Sequence, residues 1–238
     1  MSAPLILLTN DDGIDADGIR ALELALPEEW ECHVVAPASV MSQCGHRVTT
    51  DEPLRVHERG EGRFAVEGTP ADCVRIAVTQ LLPRRPDWVL SGINEGGNLG
   101  ADIYVSGTVA AVREGSFLGV PGIAFSHYKR KEWAFDWEWA GHCAHLAMIE
   151  CQERQEDLKA GEHWNINLPH VAAGEEVPER VLCQPSKEPL PVSFVEESAV
   201  AGMRSYRYDG IYPDRLREPQ SDIDVCFGGR IAISRLSL

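Results

Sequence analysis

Short apolar runs and helical patterns alternate along the first two-thirds of the chain. Leu5-Ile6-Leu7-Leu8 is a continuous apolar run, the pattern of a strand covered on both faces. Ile19, Leu22 and Leu26 then recur at helical spacing, with Asp17 placed as the N-cap. His33-Val34-Val35-Ala36 reads as a second strand stopped by Pro37. Residues 38–63 are polar and irregular, with room for one edge hairpin, and Phe64-Ala65-Val66 is a further short strand. Thr69-Pro70-Ala71-Asp72 opens a helix, with Thr as N-cap and Pro at the first helical position; Cys73, Ala77 and Leu81 form its buried face. Strands follow at residues 87–91, 122–126 and 164–168. Between them lie a helix opened by Ser106-Gly107-Thr108 and the longest helical pattern, 133–158.

Alternating strands and helices, with the strands wholly apolar, predict an α/β protein: a doubly wound, mostly parallel sheet with helices on both faces. After residue 169 the pattern changes. Prolines cluster at 178, 185, 189, 191, 213 and 219 and apolar runs shorten. Residues 1–169 therefore read as the core. Residues 170–238 read as hairpins and extended arms that pack on the core or on another subunit.

Charge narrows the function. With 22 Lys+Arg against 37 Asp+Glu, the 238-residue chain carries −15, which argues against gripping a nucleic acid polymer. A small phosphate ester stays possible, because one metal ion reverses the sign of a local site. Seven scattered cysteines without a CxxC pair suggest reduced thiols in a cytoplasmic protein. No run reaches the ~20 apolar residues of a membrane span, and the first residues lack the features of a secretory signal.

In such sheets ligands bind beyond the carboxyl ends of the strands. Three loops start there: Thr9-Asn10-Asp11-Asp12-Gly13, residues 37–42, and residues 91–100. Adjacent carboxylates repel unless a cation lies beside them, so Asp11 and Asp12 suit a hard divalent ion, with Ser42 and Asn94 as neutral oxygen ligands and Ser39 as a rival serine. An EF-hand register fails, since it puts Gly13 and Leu24 at acidic ligand positions. The Gly-rich run 92–100 lacks the Gly-Lys-Ser/Thr ending of a phosphate-binding Walker loop. Its glycines still allow close backbone approach, and Asn94 and Asn98 offer amides. Ser106, Gly107 and Thr108 at a helix start provide an anion seat. No nucleophile–base pair stands out. His142 and His145, three apart on the long helix, have no third metal ligand, and Arg84-Arg85 reads as a solvated helix end.

Four motifs in order, Thr9-Asn10-Asp11-Asp12-Gly13, Gly68-Thr69-Pro70-Ala71-Asp72-Cys73-Val74, Ser91-Gly92-Ile93-Asn94-x-Gly-x-Asn98-x-Gly100 and Ser106-Gly107-Thr108-Val109-Ala110-Ala111, resemble the SurE family of survival-protein nucleotidases. The resemblance implies a Rossmann-like, three-layer core and a metal-dependent phosphomonoesterase acting on nucleoside 5′-monophosphates, with 3′-nucleotides and short polyphosphate as further substrates. It implies one divalent ion, Mg²⁺ or Mn²⁺, on Asp11, Asp12, Ser42 and Asn94, with Asp11 and Asp12 catalytic. Asn98, Ser106, Gly107 and Thr108 match the phosphate side. It also implies a homodimer or homotetramer. Met41 before Ser42, and Ser234-Arg235-Leu236 near the end, depart from the family pattern. Asp222–Ile233 resembles its final strands. The competing reading is a non-catalytic module sensing a nucleotide or phosphate through the same pocket.

Overall fold

The computed structural model describes residues 3–130, 133–172 and 176–238. Its strands are β1 (Leu5–Thr9), β2 (Glu31–Pro37), β3 (Val56–Gly60), β4 (Arg63–Val66), β5 (Trp88–Glu95), β6 (Gly122–His127), β7 (His163–Leu168), β8 (Arg180–Cys183), β9 (Phe194–Val200), β10 (Met203–Tyr208) and β11 (Ile231–Leu236). Its α-helices are α1 (Asp17–Leu24), α2 (Pro70–Ile76), α3 (Gly107–Phe117), α4 (Trp137–Glu153) and α5 (Asp222–Phe227).

Nine strands form one sheet in the order β3-β4-β2-β1-β5-β6-β7-β11-β8. The six from β4 to β7 are mutually parallel, and β3 closes one edge as the antiparallel half of the edge hairpin. Helices cover both faces, as the buried strands require. Ile6 and Leu8 pack with residues of α1 and α4, while Leu7, between them, packs with residues of α2 and α3. The chain leaves β1 toward β2 on one side and later returns to β5 on the other. The crevice beyond Thr9 and Ser91 is therefore the switch point where such sheets bind ligands.

Local sequence explains most element ends, and three expectations change. The N-cap of α1 is Ala16, with no side-chain cap bond, and Asp17 is the first helical residue; there its charge complements the positive end of the helix instead of capping it. The Thr69 cap on α2 forms as a reciprocal capping box with Asp72. After Ile76, however, the helix widens into a π turn, Ala77–Leu81. The wider turn shifts the phase of the buried stripe, and Leu81 ends half-buried. Asp222–Phe227 is a helix rather than strand, because Ser221 Oγ accepts from the Asp224 N–H and starts a turn.

Beyond residue 169, β8 and β11 enter the main sheet. β11 pairs antiparallel with β7 and parallel with β8. β9 and β10 form a separate two-stranded ribbon with a register shift at Ser205/Tyr206. All seven cysteines are free. Among the described residues, no helix is long and apolar enough to cross a membrane.

Candidate active site

The turn after β1 is built to present two carboxylates. Asn10 closes it by donating from Nδ2 to the Gly13 carbonyl (2.7 Å) and accepting from the Gly13 N–H (3.2 Å). The Ile14 N–H reaches the Pro37 carbonyl at the end of β2, and the Met41 N–H donates to the Asp11 carbonyl (2.7 Å). The first loop is thereby tied to the second. Asp11 is 4% exposed, and its Oδ1 accepts from Thr108 Oγ1 at 2.6 Å. A Cβ on Gly107 would lie 2.9 Å from Asp11 Cβ and 3.0 Å from both Asp11 Oδ2 and Cys44 Sγ. The start of α3 thus meets the carboxylate because residue 107 has no side chain.

Burial is the largest influence on Asp11. The Thr108 hydrogen bond opposes it, the Asp12 charge adds to it, and the pKa rises to about 6. Burial, with a contribution from Glu95, also raises Asp12, although Asp12 Oδ2 accepts from the Glu95 N–H at 3.2 Å. That last bond brings the end of β5 to the acidic pair. The Gly92–Ile93 peptide in this stretch is cis, and the β5–β6 register shifts between Ser91 and Asn94. Asn94 Nδ2 is spent on the Gly96 carbonyl (2.7 Å), which leaves Oδ1 as its available end.

These residues fit a divalent cation. A deeply buried carboxylate next to a second one is an energetic liability that a positive ion offsets. Among the described residues, no three His, Cys, Asp or Glu side chains converge as a metal cage. Neutral oxygens would therefore complete the shell of such an ion, and the second and third loops offer Ser42 and Asn94 for it. Ser39 and Ser42 are both exposed on the second loop, and geometry does not choose between them. Cys44, one of the seven scattered thiols, lies beside Asp11, a placement that the sequence does not signal; burial, then the Asp11 charge, raises its thiol pKa, so the neutral form is favoured.

The other expected residues take different roles. Ser106 is the N-cap of α3, its Oγ accepting from the Val109 N–H (3.1 Å), and Gly107 and Thr108 supply the first helical N–H groups. Asn98 is turned inward, its Nδ2 donating to Ser126 Oγ (2.8 Å). Its backbone is gripped by two asparagines of β7: Asn167 Oδ1 accepts from its N–H, and Asn165 and Asn167 Nδ2 donate to its carbonyl. The only sequence signal for these supports was two polar residues inside a buried strand.

The Gly-rich loop is also held from the far end of the chain. Asp222 Oδ2 accepts from the Gly100 N–H (2.7 Å). Arg215 makes a bidentate pair with Asp102 (2.6 and 2.7 Å), and the Tyr212 hydroxyl donates to the Gly97 carbonyl (3.0 Å). The second loop has its own clamp. Asp72 accepts from Thr49 N–H (2.8 Å) and Thr49 Oγ1 (2.9 Å), while Thr69 Oγ1 donates to the Arg47 carbonyl (2.6 Å). The two helix histidines form no site: His142 is exposed and His145 Nδ1 lies 2.7 Å from the Ala25 carbonyl oxygen.

Fold and site together define a Rossmann-like α/β protein with a carboxylate pair at the switch point, facing a helix N-terminus. The family model described as survival protein SurE matches residues 6–188, and the chain belongs to that family. A relative from Synechocystis sp., described as a candidate 5′-nucleotidase, is 50% identical over 232 residues, covering 97% of this chain and 98% of the relative. The 5′-nucleotidase SurE of Citrifermentans bemidjiense is 36% identical over 234 residues, covering 98% and 92%. The crystal structure of the SurE protein from Aquifex aeolicus superposes with a TM-score of 0.85 at 32% identity, covering 98% of this chain and 93% of that one.

Proposed function

We propose that this chain is a hydrolase of the 5′-nucleotidase type, converting nucleoside 5′-monophosphates to nucleoside and phosphate with one divalent cation, Mg²⁺ or Mn²⁺. Asp11, Asp12, Ser42 and Asn94 would hold the ion. Bound there, it would neutralise charge on the phosphoryl group and lower the pKa of a water. The observation that carries the reading is Asp11: a buried carboxylate with a raised pKa, set against the first turn of a helix. A simple phosphate binder gains nothing from that carboxylate, which disfavours the sensing module.

The chain's own residues divide the remaining work. Backbone N–H groups of Gly107 and Thr108 face the phosphoryl oxygens with the positive end of α3 behind them. The Thr108 hydroxyl fixes the Asp11 carboxylate. The acidic pair orients the attacking water and takes its proton. Attack by water is favoured over an aspartyl-phosphate because the carboxylates are adjacent rather than spaced Asp-x-Asp. The same seat would take 3′-nucleotides and short polyphosphate, and the assembly would be a homodimer or homotetramer.

Hydrolysis of adenosine 5′-monophosphate and p-nitrophenyl phosphate, with Mn²⁺, Mg²⁺ or EDTA, tests this. Turnover should vanish on chelation and return with added ion. Activity that survives exhaustive chelation overturns the metal role. Absence of hydrolysis of any monoester favours the sensing module.

A further inference from the structure

Past the acidic pair, the Gly-rich loop runs along a second cavity. Gly96 and Gly97 line an open space of about 1020 Å³ together with Tyr128 and the segment around Tyr212. Tyr128 stacks with Tyr212 (ring centroids 6.0 Å, 22° between planes) and with Phe227 (4.5 Å, 28°), and those two rings are 6.1 Å apart, so the three close on one another as a cluster. Charged side chains stand around this aromatic cluster.

The charge here is opposite to that of the molecule. Lys129, Arg130, Arg207 and Arg217 line the cavity against a single carboxylate, Asp209, in a chain of net charge −15. Lys129 is paired with Glu95, and Arg207 with Glu197 and Asp209. Arg130 and Arg217 have no carboxylate partner among the described residues. Each guanidinium lies over an aromatic ring, Arg130 over Trp133 at 5.0 Å and Arg217 over Phe227 at 5.1 Å. Both charges also act on the Tyr128 hydroxyl. Arg130 also hydrogen-bonds the Tyr128 hydroxyl; a guanidinium carries five N–H donors, and those beyond that bond match a phosphate.

The cavity begins two residues after Asn94, at most about 7 Å along an extended chain. The Gly96 edge of the cavity therefore adjoins the loop that carries Asn94, on the path a nucleotide seated by its phosphate at the acidic pair would follow. We infer that Arg130 and Arg217 form a subsite for a second phosphate group of the substrate, distal to the one released. The inference rests on the nucleotidase reading above. It makes substrates carrying a second phosphate group better than the monophosphate, whether that phosphate is a ribose ester or part of an anhydride chain.

The test compares kcat/KM for adenosine 3′,5′-bisphosphate and for tripolyphosphate, each divided by the value for adenosine 5′-monophosphate, in the wild-type protein and in R130A/R217A. At least one ratio should fall about five- to tenfold in the double variant, through KM, with the difference shrinking as salt rises. The ratio that falls identifies the source of the second phosphate. General damage to the fold lowers numerator and denominator alike and leaves the ratio where it was. Ratios equal in both proteins overturn the subsite. If wild-type protein hydrolyses no monophosphate, the nucleotidase reading fails on its own. The subsite is then read by equilibrium dialysis of the bisphosphate: weaker binding by R130A/R217A supports it, and equal binding overturns it.

Discussion

At the scale of single residues, two buried ionisable groups dominate. Moving the Asp11 carboxyl from its usual 3.8 to about 6 costs about 3 kcal/mol of stability at neutral pH when no cation is present. Asp11→Asn keeps the shape and removes that charge. The variant should melt higher than the wild type in EDTA, and added Mn²⁺ or Mg²⁺ should raise the melting temperature of the wild type only. Thermal unfolding with and without ion measures both, and turnover in the variant should fall at least 100-fold. An equal thermal response to the ion in both proteins would remove Asp11 from the ligand set.

His163 titrates in the opposite sense. It is wholly buried and its Nε2 has no hydrogen-bond partner among the described residues. Burial first, then the Arg113 charge, depress its pKa from 6.5 to about 4. Between those values the unfolded chain binds more protons than the folded one, so stability rises with pH through that window and is complete above about 6.5. His127 is depressed to about 4 as well. The test is therefore a difference: urea unfolding of His163→Gln and wild type from pH 4 to 7. The variant should lose a pH-dependent part of about 3 kcal/mol. Identical pH profiles would show that His163 does not titrate this way. Asp11 was legible in the sequence because two acids directly follow an apolar run. Asp102, paired with Arg215 across 113 residues, was not. A single long-range pair leaves no periodic trace.

At the scale of elements, the site depends on how closely α1 meets β5. A Cβ added at Gly18 would lie 1.9 Å from the Ile93 carbonyl oxygen. Backbone cannot yield there as a flexible side chain would. Gly18→Ala should push α1 off the sheet and cost about 2–3 kcal/mol, read from the denaturation midpoint. Because Ile93 precedes Asn94, the same shift should weaken activation by metal. Unchanged stability would mean that the helix can slide freely. The central strands were readable from their unbroken apolar runs, and α2 from its Thr-Pro-x-Asp opening. The π turn at Ala77–Leu81 was not, since its residues fit an ordinary helical stripe and only packing selects the wider turn. The helix at Asp222 was hidden for another reason: six residues are too short to show periodicity.

At the scale of the whole molecule, the β9–β10 ribbon lies outside the main sheet. Phe194, Val200, Met203, Tyr206 and Tyr208 are each more than half exposed on it. An isolated two-stranded ribbon is marginal in water, and exposed apolar residues in this number mark an interaction face. Assembly through this ribbon predicts that replacing residues 193–209 with a short Gly-Ser link lowers the mass measured by light scattering and leaves the main sheet folded. An unchanged mass would rule the ribbon out as the contact.

The position of β11 has a consequence for synthesis. β11, later in the chain than the other strands of its sheet, lies inside that sheet, between β7 and β8, and the preceding helix supplies the carboxylate that holds Gly100. A nascent chain on the ribosome can pair β1 through β7 as they emerge, but its Gly-rich loop stays unbraced until residue 222 is free of the exit tunnel. A chain broken off short of β11 leaves β7 as a bare edge open to pairing with other chains. The site is therefore braced only after residue 222 and β11 have emerged, and a chain that stops before them lacks the carboxylate that holds its Gly-rich loop.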